Sequence, residues 1–161
     1  MNDPIPQVEA DNHENWMQLA LKEAVKAGEE GEVPVGAVVI HNSMVIGRGY
    51  NRTENLGDAT AHAEILAIGA ASETLGDWRL EDCTLYVTLE PCPMCAGAIV
   101  QARIPKLVFG ATDPKAGACG TLYNIVEDKR LNHMVEVITG VREEESSSLL
   151  KSFFQRLRAG P

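Results

Sequence analysis

Long apolar runs are absent from this chain of 161 residues, and none approaches the ~20 that a bilayer-spanning helix requires. No membrane segment is therefore expected. Met1 to Asn15 has no apolar stretch like the core of a secretory signal and carries Asp3, Glu9, Asp11 and Glu14 instead. Residues 1–13 read as a flexible acidic tail, residues 14–161 as one domain, and the chain as a cytoplasmic protein. Positive charge is scarce: 14 Lys and Arg stand against 23 Asp and Glu, a net charge of −9. Taken alone, that argues against a nucleic-acid binder, whose phosphate contacts need local Lys and Arg. Aromatic residues make up only 5%, which leaves few rings for stacking on bases. Phe153 and Phe154 are the best placed, and helix packing accounts for at least one of them. The four cysteines could form two disulfides, but an intracellular chain of this size rarely needs them, and the Cys92/Cys95 spacing suits a metal. A redox Cys-x-x-Cys is the rival reading; it leaves the nearby His-x-Glu unexplained. Cys83 and Cys119 read as small packing residues. There is no repeat, linker or low-complexity segment.

The hydrophobic fraction of 45% is ordinary for a globular domain with one core, and its periodicities assign the elements. Trp16, Leu19, Ala20, Ala24 and Ala27 have helical spacing and predict a helix over 14–28. The apolar runs 35–40 and 44–50, joined by His41-Asn42-Ser43, predict a hairpin. Residues 51–61 are polar and irregular. Helices are expected over 61–75 and 91–103, strands over 84–89, 107–109 and 135–138, and a final amphipathic helix over 142–158. Its acidic start and basic end suit the helix dipole. This order implies a sheet covered by helices.

His62-Ala63-Glu64 and Pro91-Cys92-Pro93-Met94-Cys95 carry the chemistry. One imidazole and two thiolates can hold zinc on three sides and leave a fourth position open, which is the arrangement of a catalytic site. A structural zinc would need a fourth ligand. His13, His41 and His133 are loose candidates without helpful spacing, better read as surface or substrate-side residues. Cys92 and Cys95, three apart, share a helix face near an N-terminus whose partial positive charge favours thiolates. His62 and Glu64, two apart, diverge on a regular helix, so the pair must use a distorted first turn. Zinc would turn bound water into hydroxide near neutral pH, and Glu64 could shuttle protons as general base and then general acid. The matching electrophile is an amidine-like carbon bearing an amino group. Hydroxide adds, ammonia leaves and a carbonyl remains.

His-x-Glu with a later Pro-Cys-x-x-Cys is the known signature of zinc nucleobase deaminases. Thr60–Ile65 and Tyr86–Ala98, with Val33–Val38, Phe109–Ala111 and Leu131–His133, make the chain resemble the bacterial tRNA-specific adenosine deaminases from about Trp16 to Arg158. That resemblance implies a three-layer α/β/α cytidine-deaminase-like fold with a five-stranded mixed sheet, a homodimer, and one zinc ion per subunit. It implies conversion of the wobble adenosine of an arginine tRNA to inosine, with the tRNA anticodon loop as partner. His62, Cys92 and Cys95 match the zinc ligands, Glu64 the proton shuttle, and Asn51 an asparagine that binds the flipped nucleoside; otherwise Asn51 is a turn residue. Asp113 and Lys115 fall in a segment resembling the family's anticodon-facing loop, or form a solvated turn. Gly36 and Ala37 would leave space beside the base, or serve core packing. Candidate RNA-facing charges are Lys106, Lys115, Lys129, Arg130, His133, Lys151, Arg156 and Arg158. Ala96-Gly97-Ala98 permits close helix approach and is the candidate dimer contact. The zinc motif is shared with cytidine, deoxycytidylate, cytosine and guanine deaminases, so the alternative is a deaminase of a free base or nucleotide. A non-catalytic zinc-stabilised RNA-binding protein is a third reading, and Glu64 with an open ligand position speaks against it.

Overall fold

The computed structural model describes residues 7–160. Strands β1 (Gly36–His41) and β2 (Met44–Tyr50) form an antiparallel hairpin. Its two-residue turn puts Asn42 and Ser43 at φ 49° and 58°, the left-handed pair that matches strand twist. β3 (Cys83–Leu89) pairs antiparallel with β1, whereas β4 (Lys106–Ala111) and β5 (Glu136–Ile138) continue the sheet in parallel. The order β2-β1-β3-β4-β5 is thus a five-stranded mixed sheet, as expected.

Alternation along the strands divides the core. Ala37, Val39, Leu85, Val87, Leu107 and Phe109 pack in one cluster with residues of α3 (Ala63–Leu75) and α4 (Pro93–Gln101). Val38, Ile40, Tyr86 and Val108 pack with α1 (Gln7–Glu29) and α5 (Glu143–Ala159). Burial on both faces explains why β1 reads as a continuous apolar run rather than an alternation. The three-layer α/β/α architecture follows. A Cβ on Gly49 would lie 2.3 Å from the Ala63 carbonyl oxygen, so the bare backbone of β2 lets α3 sit directly on the sheet. Ala63, Ala67 and Ala71 present the matching small face.

Three local expectations are corrected. The first helix begins at Gln7, not Glu14, so the part of the acidic tail from residue 7 is helical; residues 1–6 lie outside the described residues. His13 explains the extension in part. It is buried, not a surface residue, and its Nδ1 lies 2.7 Å from the Tyr86 hydroxyl, a polar anchor that an apolar periodicity cannot register. Second, the segment read as irregular contains the one-turn helix α2 (Thr53–Leu56), whose Glu54 N–H donates to the buried Glu32 carboxylate at 2.9 Å. Third, α4 starts at Pro93, with Cys92 as its N-cap, so Pro91 precedes the helix rather than lying in its first turn.

Candidate active site

Two helix starts build the site. His62 caps α3 with an extended backbone (φ −78°, ψ 153°), and Cys92 caps α4 in the same way (φ −73°, ψ 174°). Neither side chain caps its own helix, so both are available to meet between the two. This resolves the His62/Glu64 spacing: the imidazole leaves from the extended cap and Glu64 from the first helical turn. The same holds for Cys92 and Cys95, which do not share a helix face as expected, because only Cys95 is helical. His62 Nδ1 lies 3.5 Å from each of the two sulfur atoms. Among the described residues, this trio is the group of His, Cys, Asp or Glu side chains that could hold a metal ion, with ligand atoms within 4.8 Å of one another. His13, His41 and His133 are not in it; His133 Nε2 instead lies 2.6 Å from the Ile104 carbonyl oxygen.

The electrostatics fit ligation. A hydrogen bond from the Cys95 thiol, reinforced by His62, holds Cys92 down at about 4, so it is a thiolate at neutral pH. The same bond, with burial, keeps the proton on Cys95 far above the ordinary thiol range. The hydrogen bond with Cys92 raises His62, against its burial. Glu64 is 4% exposed, and burial pushes its carboxyl up, which lets it carry a proton as well as accept one. Cys83 and Cys119 are buried with raised thiols, as packing residues should be.

A cleft of about 290 Å³ opens over this centre. Val33, Val35 and Leu89 give it apolar walls, Asn51, Thr53 and Asp113 polar groups, and His62, Glu64, Glu90 and Cys92 its titratable lining. A few polar groups in an apolar concavity are what a base-sized ligand requires. Asn51 is 8% exposed and its Oδ1 has no hydrogen-bond partner among the described residues, while Nδ2 donates to the Val33 carbonyl at 3.4 Å. Asp113 lines the cleft, though its Oδ1 also accepts from the Lys115 and Ala116 N–H groups, as in an Asx turn. Lys115 lies in a neighbouring groove with Lys151, Phe154 and Arg158. Neither Gly36 nor Ala37 lines the cleft: a Cβ on Gly36 would run into the Ala20 carbonyl of α1, and Ala37 is core, so the packing reading holds for both. Sequence reasoning missed two buried carboxylates, Glu90, which itself lines the cleft, and Glu32, which accepts from the Glu54 N–H. Their only signal is a lone acid beside an apolar segment, which looks like ordinary surface.

A family model described as MafB19-like deaminase matches residues 11–158. A tRNA-specific adenosine deaminase of Bacillus subtilis (strain 168) is 54% identical over 145 residues, 90% of each chain. The chain belongs to the tRNA-specific adenosine deaminase family. A solved structure from a study of A-to-I editing by tRNA:A34 deaminases at the wobble position aligns with a TM-score of 0.82 at 49% identity, covering 84% of this chain and 99% of that one. The same scaffold serves another base. A guanine deaminase of Bacillus subtilis aligns with a TM-score of 0.61 at 38% identity, covering 68% of this chain and 70% of that one. Likeness of scaffold alone therefore does not choose the base.

Proposed function

We propose that the chain, a single deaminase domain, hydrolyses adenosine at the wobble position of a tRNA, an arginine tRNA, to inosine and ammonia. His62, Cys92 and Cys95 hold one zinc ion per subunit and Glu64 moves the protons. The observation that carries this is Glu64 buried beside the three converging ligand atoms at the floor of a base-sized cleft. Bonds of ~2.0 Å to nitrogen and ~2.3 Å to sulfur about a tetrahedral centre need an N···S separation of about 3.5 Å, and both separations here are 3.5 Å. When bound, zinc lowers the pKa of water from about 15.7 to about 7. Glu64 accepts a proton as the water oxygen bonds to adenine C6 and passes it to N1; it then takes the proton of the new C6 hydroxyl and delivers it to the amine as the C6–N6 bond breaks, leaving the C6 carbonyl and ammonia. Asn51 Oδ1, buried and unpartnered, accepts from the nucleoside.

RNA binding by so acidic a chain needs local positive charge, and the groove of Lys115, Lys151 and Arg158 with Phe154 supplies it. Asp113 in the cleft and Lys115 in the groove are two residues apart, so one loop joins base site to phosphate site. An anticodon-loop base is already unpaired, and reaching it costs little unstacking. A reaction on tRNA assigns the enzyme to the cytoplasm; among the described residues no helix is long and apolar enough to cross a membrane.

The test is incubation with an arginine-tRNA anticodon stem-loop, with free guanine, cytosine and adenosine alongside. Inosine forms in the RNA only. Product from a free base alone would overturn the substrate and keep the centre. The homodimer contact is assigned to the outer face of α4. Ala96 points into the core, contrary to expectation, but Gly97 and Ala98 are part-exposed, and a Cβ on Gly97 would meet nothing. The 120–135 segment, which hydrogen-bonds to Ile104 just beyond α4, adds exposed Leu122, Tyr123, Leu131 and Met134. Light scattering on purified protein reads a dimer; a monomer at micromolar concentration would sink this assignment.

A further inference from the structure

Glu90 directly precedes the Pro91–Cys95 segment and takes no part in the proton chemistry above, yet it is only 2% exposed. A buried carboxylate persists only where donors replace its water. Among the described residues, the donors that hydrogen-bond Glu90 all come from one loop. Oε1 accepts from the Asp113 N–H at 3.0 Å and from the Thr121 hydroxyl. Oε2 accepts from the Cys119 and Thr121 N–H groups, both at 3.1 Å. The loop has little regular structure of its own, apart from an isolated bridge between Cys119 and Asn124. Its main chain is wrapped against the carboxyl group: a Cβ on Gly117 would lie 2.5 Å from Glu90 Cδ. This loop brings Asp113 and Ala116 to the cleft. One carboxylate therefore joins the end of β3, the cysteine segment two residues on, and the cleft wall.

We propose that Glu90 is a positioning residue for the deamination: its buried carboxylate holds the 113–121 loop in the conformation that forms one wall of the cleft, so that substrate binding depends on it. The function proposed above enters only through the substrate's identity. A residue that merely stabilised the fold would lower the active fraction and leave KM alone. A residue that sets the wall raises KM.

Glu90→Gln keeps the shape but turns an NH2 toward at least one main-chain N–H. The Thr121 hydroxyl can reverse to accept; the three amides cannot. We expect the variant to keep its zinc, and NMR hydrogen exchange at 113–121 to quicken about tenfold while β3 and α3 are unchanged. KM for the anticodon stem-loop rises about tenfold with kcat within about threefold, the scale of one or two lost hydrogen bonds. Thr121→Val removes only the hydroxyl donor; it gives a smaller change of the same kind and serves if Glu90→Gln does not fold. Unchanged exchange at 113–121 in the folded variants overturns the proposal. So does faster exchange with unchanged KM, or a loss confined to kcat. Should the unsubstituted enzyme make no inosine from RNA, the substrate assignment falls separately, and the KM comparison moves to whichever free base is turned over.

Discussion

Glu64→Ala keeps one zinc ion per chain and loses about 10²–10⁴-fold or more in the rate of inosine formation, the contribution typical of a positioned general acid–base group. The converging atoms that could hold an ion belong to His62, Cys92 and Cys95 and not to the Glu64 side chain, so metal content is expected to stay at the unsubstituted level. Stability separates a catalytic role from a structural one. Burial raises the Glu64 carboxyl above its unfolded value. A carboxyl whose folded pKa is raised favours the folded state at low pH, and that benefit is lost as pH rises through the folded pKa. In metal-stripped protein near neutral pH, the buried acid therefore works against folding, and Glu64→Ala should melt at the same temperature or higher. Such a residue, retained at a cost to stability, is expected where function requires it. Metal analysis, melting curves and single-turnover inosine formation check the three parts. A variant that stayed active, or that lost its metal, would remove Glu64 from the proton-transfer role.

How much of this was legible in the sequence follows from the range of the interactions involved. The strands and the long helices announce themselves through side-chain period, because β1 to β4 and α3 to α5 bury apolar residues against one sheet. That His62, Cys92 and Cys95 come together was legible because these residue types are rare in combination and fall at two helix starts. The geometry of those starts was not legible. That His62 and Cys92 sit in extended cap positions depends on how α3 and α4 dock on the sheet, and the bare backbone at Gly47 and Gly49 governs that approach for α3. Longer-range polar pairing was invisible. His13 meets Tyr86 across 73 residues, and Glu90 meets Thr121 across 31; no local pattern links either pair. Gly36 shows the converse: of its two readings, space beside the base and core packing, only the second holds, and the sequence alone does not choose between them.

Cys95→Ala, in contrast to Glu64→Ala, loses zinc and inosine formation together. Cys95 Sγ is wholly buried between the two helix starts, and without it His62 and Cys92 offer two ligands where a catalytic site needs three. Stripping the unsubstituted enzyme with a chelator has the same effect, and zinc reverses it. The proton count of that reversal is fixed by the charge state of the centre. Cys92, at about 4, is already a thiolate and adds no pH dependence between pH 6 and 8. Cys95 is held protonated throughout that range and must release its proton to bind. Zinc uptake therefore frees at least one proton, and affinity falls about tenfold for each unit that pH drops. The raised His62 adds a second proton toward the acid end, so the slope steepens there from one toward two. Titration against a chromophoric chelator at pH 6, 7 and 8 reads the slope, and calorimetry in two buffers of different ionisation enthalpy counts the protons directly. A flat dependence would mean that Cys95 is not a ligand. A slope of one or more, together with the loss of metal in Cys95→Ala but not in Glu64→Ala, separates the residues that hold the ion from the residue that uses it.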